Sequence, residues 1–413
     1  FRVTGTQHPI IMFSQYYQSV HARRILAGNT SRNPLLKFQY FVEAPVINTL
    51  IALETGHQVE PAVVEGDRAL AADVLRFFDI EAIVVHPAQT GPDMMPYIEA
   101  TMPVERAYED AETVAYRVDL PPWPEVWRLE PGEALSRLSY AEGWGVPVEG
   151  RIWAQRRRVR LLVPLNGDAQ RLSFRAFALE DGQSMAVELQ GRTLDEIYLV
   201  PGWGDYGMDL PAEAVHPGLN EIWLCFERLY PASQVTAGGR AIGQTGLESP
   251  VNLVVQSAGQ EVGDFGLVYV DGRQVSPDER GYNVVVFDPE SGAVESVANF
   301  DTHLDEGASQ AIADFMQAVP DGAIVAVAAA DEASRLLGEE AVAALHKIGA
   351  AGDLRDRFRW GQAIIGVQGA PPGTALEELG WMRPLALTAG EGATEVHLAA
   401  AFGPLIFRAV SGP

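Results

Sequence analysis

Residues 280–373 constrain the fold more than any other stretch of this chain. Their hydrophobic pattern reads strand, tight turn, strand, helix, strand, helix, strand. Residues 283–288 form a β-rich run, and Pro289-Glu290-Ser291-Gly292 has the chemistry of a hairpin turn. Ile312, Phe315, Met316 and Val319 recur at helical spacing after a polar start at Asp305. Residues 323–330 are a continuous run of small apolar side chains bounded by Asp321-Gly322 and Asp331, which predicts a strand covered on both faces. Val342, Leu345 and Ile348 mark the next helix, Gly349 is its natural stop, and residues 363–367 supply the last strand.

With 413 residues the chain has material for two to four domains, and a 47% hydrophobic fraction makes it globular rather than disordered. A net charge of −25 argues against nucleic acid and anionic membrane surfaces as partners, because both would repel it. The single cysteine, Cys225, excludes an intrachain disulfide framework, and its apolar surroundings predict inert packing with nothing basic beside it. No apolar run is long enough to span a membrane. The chain starts abruptly at Phe1 in ordered-looking sequence, so the expectation is a piece of a larger protein.

Taken in order, residues 1–118 read as an α/β domain. A short strand is expected over residues 9–13, a helix carrying Leu70, Val74 and Phe77, a strand over 80–86, a helix over 94–102, and a hairpin of 104–108 with 113–118. Residues 119–135 hold Pro121, Pro122, Pro124 and Pro131 and read as a Pro-rich linker or rigid strap. Residues 136–230 read as a β-sandwich, with strands over 151–163, 171–178, 185–189, 196–200, 206–210 and 221–226 separated by turn signals such as Asn166-Gly167. Residues 231–249 are rich in small residues and read as a flexible linker. Asp271-Gly272 signals a further hairpin. Residues 374–413 hold three more strands, which either finish the last domain or return to an earlier one. The expected architecture is therefore multidomain: an N-terminal α/β domain, a central β-sandwich of jelly-roll type, and a C-terminal α+β domain over residues 250–373.

The motifs RGYNVVVFDPESG (280–292), FDT (300–302), PDG (320–322), DEAS (331–334) and FRW (358–360) occur in one order over about a quarter of the chain. In these the chain resembles the interleukin-like EMT inducer family, whose module also forms the stem of the protein O-mannose N-acetylglucosaminyltransferase. The resemblance implies a sugar site. It places Asp331 of the DEAS motif and Arg359 of the FRW motif on a terminal sugar, with Trp360 and Phe358 as apolar walls. The chain departs from the stem pattern at Gly361-Gln362. Residues 136–230 resemble galactose-binding-like jelly rolls through VELQGRTLDEIYLVPGWGDYGMDLPAEAVHPGLNEIWLCF (187–226). Pieces of the first 118 residues, such as FDIEAIVVHP (78–87), resemble the extracytoplasmic part of bacterial membrane glycosyltransferase-like proteins.

The residues themselves allow this chemistry and also plainer readings. An acid at the exit of a buried strand can accept sugar hydroxyls, and a guanidinium offers a planar fork of donors. Asp331 would equally serve as an N-cap for residues 332–336, and Arg359 could pair with Asp353 or Asp356. Trp203 and Tyr206 make a second candidate sugar site at a sandwich tip, against the plainer reading of core aromatics. Gly202, Gly204 and Gly207 match a dinucleotide fingerprint by letter, but a strand ending in proline follows where a helix is required. Asp264-Phe265-Gly266 lacks the catalytic loop of a kinase. The eight histidines show no zinc spacing, so no metal, cofactor or catalytic residue is expected.

The reading that follows is a non-catalytic, carbohydrate-binding extracytoplasmic region. Its partner is a glycan, with a terminal N-acetylhexosamine as the implied ligand. It would be accessory to a membrane glycosyltransferase-like protein and tethered to upstream transmembrane helices. The alternatives are a protein-interaction or signalling module and a glycoside hydrolase whose carboxylates meet only on folding.

Overall fold

Helices α1 (Ile47–Glu54), α2 (Pro61–Phe77) and α3 (Met94–Thr101) pack on the strands β1 (Ala82–Val85), β2 (Val104–Glu109) and β3 (Val114–Val118) in this computed structural model. It describes Leu26 and residues 44–410, except residues 55, 57, 236–239 and 382. The strand expected over residues 9–13 lies outside the described residues. Pro61 opens α2, where its missing N–H costs nothing. Ala71, Val74, Leu75 and Phe77 of that helix are buried with Tyr97, Ile98, Val114 and Tyr116. The sheet order is β1-β3-β2, all antiparallel. The described part of residues 1–118 is therefore α+β. Among the described residues no parallel β-α-β crossover forms, because β3 returns by a tight hairpin whose turn is held by Asp110, accepting the N–H groups of Glu112 and Thr113.

Of the two readings of residues 119–135, a linker or a rigid strap, the structure has a packed segment rather than a free linker. Its Pro121 and Pro122 carbonyls are gripped by the buried guanidinium of Arg76, and Val126–Leu129 form strand β4 of the sandwich. Helix α4 (Ala134–Arg137) follows, then β5 (Ile152–Ala154), β6 (Arg158–Asn166), β7 (Gln170–Ala178), β8 (Gln183–Leu189), β9 (Arg192–Leu199), β10 (Gly202–Leu210) and β11 (Pro217–Phe226). The single strand expected over 151–163 is two, β5 and β6, broken at residues 155–157. One sheet runs β6-β11-β8-β9. In the facing sheet β10 pairs β7. Alternation is clean: β8 buries every second residue, and Val159, Leu161, Val163, Leu172, Phe174, Val187 and Leu224 fill the space between the sheets.

Strand β12 (Tyr230–Pro231) leads out of the sandwich. Residues 240–249, expected as flexible, are packed: Ile242 is fully buried, Ala241 bridges Glu248, and Arg240 donates to the Pro250 carbonyl. Then come β13 (Leu253–Gly259), β14 (Phe265–Val270), β15 (Arg273–Gln274), β16 (Gly281–Phe287), β17 (Val294–Phe300), α5 (Ala308–Ala318), β18 (Ile324–Asp331), α6 (Glu339–His346), β19 (Gly361–Val367), β20 (Leu376–Gly380) and β21 (Leu385–Ala389). These nine strands form one folded-over sheet. One arm is β17-β16-β18-β19-β20 and the other is β15-β14-β13-β21. They join where β13 runs parallel to β18, with Ala258 opposite Ala330 and Gly259 opposite Asp331. Val285, Phe287, Ile324, Ala326 and Ile365 fill the space between the arms, while Val284, Val286, Val325 and Val327 face α5 and α6 on the other side. Strands β16, β18 and β19 are thus covered on both faces, which is why their sequences read as unbroken apolar runs.

The C-terminal strands divide between the two units. β21 belongs to the folded-over sheet, β22 (His397–Leu398) pairs β12, and β23 (Ala400–Ala409) inserts between β7 and β4 and also pairs β5. The folded-over sheet is therefore an insertion in the sandwich. The seam is held by Glu391, whose buried carboxylate accepts from Arg151 at 3.0 Å and from the Trp153 indole at 2.7 Å.

Candidate functional site

Because the central strands of the folded-over sheet have no free face, polar chemistry collects at its strand ends. The strand junction is such an end. Asp331 closes β18, and its ladder partner Gly259 closes β13. A side chain on Gly259 would collide with the Arg359 carbonyl, so the glycine is what lets the residue 354–360 turn lie against the junction. Asp331 and Arg359 therefore flank one residue, and the Arg359 charge acts on the Asp331 carboxyl. The structure brings together the two residues that the family motifs singled out.

Other residues of the junction were not assigned a role from sequence. The loop between β13 and β14 brings Asp264, whose N–H bonds the Gly259 carbonyl at 3.1 Å. Arg280 precedes β16 and forks onto Asp301 of the FDT motif, with a shortest contact of 2.6 Å. His303 Nδ1 lies 2.8 Å from a Glu332 carboxylate oxygen. Glu332 is buried and also accepts the Ser334 N–H at 2.8 Å, the Ser334 hydroxyl, and the Arg335 N–H. The motif letters put Arg280, Asp301 and Glu332 in view. Only the pairing of β13 with β18 reveals Asp264.

The electrostatics separate two kinds of carboxylate. Burial raises Glu332, but bonds from Ser334, His303 and the Arg335 backbone outweigh it and hold the acid below its ordinary range. Asp301 is held low by Arg280. Asp331 and Asp264 go the other way. Burial pushes Asp331 up against the pull of Arg280, Arg359 and His303, and burial with the neighbouring charges of Asp331 and Asp278 pushes Asp264 up against Arg280. Among the described residues no hydrogen bond reaches either carboxylate. Asp264, Asp278, Asp331 and Arg359 also all adopt positive φ, between 57° and 61°. Left-handed backbone at four non-glycine residues of one junction is strain that the surrounding sheet must hold.

Asp331 is not an N-cap, because α6 starts at Glu339 behind Gly338, and it is Glu332 that ties down the intervening turn. Asp353 is engaged by Arg355 at 2.6 Å. Phe358 is 51% exposed, with the Arg359 guanidinium 4.7 Å from its ring centroid. Trp360 packs toward the helix-side core and carries Arg357 on its ring at 4.7 Å. The aromatic wall beside Arg359 is thus Phe358, not Trp360. Gln362, where the chain departs from the stem pattern, is fully buried and links Tyr282 to Glu377.

The second candidate, Trp203 with Tyr206, is not one site. The two lie on opposite faces of β10. Tyr206 stacks on Phe174 at 5.6 Å and its hydroxyl accepts the Val200 N–H, whereas Trp203 faces outward. The glycines 202, 204 and 207 lie in this strand, with no helix N-terminus beside them. Cys225 has a basic neighbour after all, Arg158 directly opposite on β6, yet burial keeps its thiol raised. Concavities of about 690 and 430 Å³ lie elsewhere, at residues 100–103 with 119–122 and at His346 with Pro371 and Pro372. Among the described residues no cluster of metal-ligating side chains occurs, and no helix is long and apolar enough to cross a membrane.

The molecule is thus a predominantly β protein in which a sandwich carries an inserted, folded-over sheet with a charged site at its strand junction. Residues 280–370, at the centre of that insertion, match the family model described as interleukin-like EMT inducer. No curated protein matches the chain. Among solved structures, the chain is similar to the CBM36-1 domain of a multidomain xylanase from the hindgut metagenome of Trinervitermes trinervoides, at 8% identity over 24% of this chain and 82% of that one, with a TM-score of 0.19. It is likewise similar to a family 35 carbohydrate binding module from an environmental isolate, at 14% identity over 24% and 82%, with a TM-score of 0.19. A third is the C-terminal CBM6 of a marine laminarinase from Zobellia galactanivorans, at 16% identity over 24% and 88%, again with a TM-score of 0.19.

Proposed function

We propose that the strand junction binds the terminal sugar of a glycan, with a β-linked N-acetylhexosamine as its ligand. One observation carries this reading: the half-buried carboxylate of Asp331, with the exposed one of Asp264 near it, has acceptor oxygens that no described residue engages, beside the guanidinium of Arg359. A sugar edge supplies what is missing. Its hydroxyl protons satisfy the carboxylates, its ring and acetamide oxygens accept from Arg359, and its apolar face rests on Phe358. In this reading the protein is a non-catalytic, extracytoplasmic carbohydrate-binding region that serves a membrane glycosyltransferase-like protein. Glycan-array binding by the full chain tests the ligand. Signal on terminal β-linked N-acetylhexosamines, lost in Arg359→Ala and in Asp331→Asn, is expected, and silence across that class would sink the proposal.

A second reading is favoured by the same two acids. A glycoside hydrolase needs one protonated and one ionised carboxyl group, and the charge of Asp331 raises the proton affinity of Asp264, which would divide those roles between them. Turnover of a chromogenic N-acetylhexosaminide, abolished by Asp264→Asn, would select it. Binding without turnover selects the first reading.

A further inference from the structure

Each sheet of the sandwich turns one tryptophan outward, and the two differ in what covers them. Trp223 on β11 has the guanidiniums of Arg158 and Arg160 at 4.5 and 5.5 Å from its ring, and its Nε1 donates to Glu221. Trp203 on β10 keeps 40% of its surface open. Alternation along β10 puts Trp203, Asp205, Gly207 and Asp209 on one exposed face, with Tyr206 and Met208 turned inward. The ladder sets Phe177, Arg175, Ser173 and Arg171 of β7 opposite them in that order.

The face therefore has a graded composition. At one end is an aromatic pair, Trp203 and Phe177, with ring centroids 5.6 Å apart. Next comes Asp205 opposite Arg175, whose guanidinium lies 5.3 Å from the Trp203 ring. Gly207 and Ser173 then form a low floor, and Arg171 closes the row by pairing with Asp209 at 2.8 Å. A side chain on Gly207 would meet Arg171 at 2.9 Å, so the glycine lets that guanidinium lie along the sheet. Trp203 and Asp209 are six residues apart, about 20 Å of extended strand. That is the length of a short oligosaccharide rather than of one ring.

The charges on this face cancel, two acids against two guanidiniums, on a chain whose net charge is −25. A polycation would prefer other surfaces, and a polyanion is repelled by the whole molecule. What the face offers is an indole that keeps 40% of its surface open while Arg175 and Phe177 pack against it, for the apolar side of a pyranose, and planar, bidentate donors and acceptors for hydroxyls. We propose that the outer face of β10 and β7 is a second glycan-binding surface, which takes the interior of a neutral, linear glycan with one pyranose stacked on Trp203. It is independent of the strand junction, which is built to hold a chain end.

Calorimetric titration of the full chain with cellohexaose, xylohexaose and mannohexaose tests this, with tryptophan fluorescence as a second readout. At least one hexasaccharide should bind and perturb the fluorescence. Trp203→Ala should weaken that binding by about tenfold or more. Gly207→Gln, which fills the floor without touching the core, should also weaken it. Arg359→Ala and the exposed-aromatic control Tyr198→Ala should leave it unchanged. The proposal is overturned if none of the three binds, if binding survives both Trp203→Ala and Gly207→Gln, or if it is lost in Arg359→Ala while Trp203→Ala retains it. That last result would assign the ligand to the junction.

Discussion

The sandwich and the folded-over sheet solve the same problem, covering β-strands, in two ways, and the difference decides where each can interact. In the sandwich the long strands bury one side; β7 alternates buried residues with open or partly open ones along its whole length. Its outer faces are covered only in part, at Phe177 by Trp153 and Leu398 and at Leu162 by the N-terminal unit, and Trp203 stands on an open stretch. In the folded-over sheet β16, β18 and β19 have one arm of the sheet on one side and α5 and α6 on the other, so no face is left. Polar groups are expelled to the strand ends, where they meet in left-handed turns at Asp264, Asp331 and Arg359. A face offers length and a junction offers a point, so the two surfaces should select glycan interiors and glycan ends respectively.

The largest test of this contrast is removal of β23. It lies between β7 and β4, so truncation after residue 399 should abolish cooperative unfolding of the sandwich, while β13–β21 keep their own core. Two unfolding transitions by calorimetry, of which one vanishes on truncation, is the expected result. A truncated chain with both transitions intact would mean that the sandwich does not depend on its returning strand. Next in size are core substitutions. Phe287→Ala, between the two arms, should cost about 3–5 kcal/mol by denaturant titration, whereas Val297→Ala on the exposed edge strand β17 should stay within about 0.5 kcal/mol.

These results bear on what the sequence made legible. The strands and helices of residues 280–370 could be read because unbroken apolar runs such as Ile324–Asp331 and periodic ones such as α5 have few alternative meanings. β4 was hidden by the prolines around it. A strand was expected within β23, but its length and its place stayed open, because the register shift between Phe402 and Leu405 breaks the alternation and its partners lie more than 200 positions away. The family resemblance of the DEAS and FRW motifs pointed to Asp331 and Arg359, and the fold places both against Gly259. Asp264 was not legible, because its place depends on β13 running parallel to β18 over only two residues.

The seam between the units is the third test. Glu391 is one partner of a buried ion pair, and Glu391→Ala removes the acceptor of the Trp153 indole and one of the carboxylates on Arg151, which keeps Glu149. A loss of about 3–5 kcal/mol is expected, with the two transitions of the full chain moving apart. Unchanged transitions would show that the units are not coupled there. A smaller effect is expected from Gly259→Ala. Its new methyl group would displace the Arg359 turn, so stability should fall by about 1–3 kcal/mol and junction binding should be lost, with the Trp203 face untouched.

The smallest stability effect has the opposite sign. Asp264 has its proton affinity raised in the folded state, so the stability it contributes is full at low pH and is lost as pH rises through the folded value. Asp264→Asn should therefore unfold at a slightly higher temperature than the parent at neutral pH. The gain should disappear below the ordinary carboxylate range. A variant less stable than the parent at neutral pH would mean that the charged form is welcome there.

Asp331 joins these arguments, because the same burial that disfavours its charge leaves its oxygens open for a ligand. The most direct measurement is a calorimetric titration of the full chain with a β-linked N-acetylglucosamine disaccharide, repeated with Asp331→Asn and across pH. Binding should be strongest at neutral pH, weaken as acid protonates Asp331, and vanish in Asp331→Asn, while that variant is at least as stable as the parent. Equal binding by parent and variant, or binding that strengthens in acid, would contradict the account.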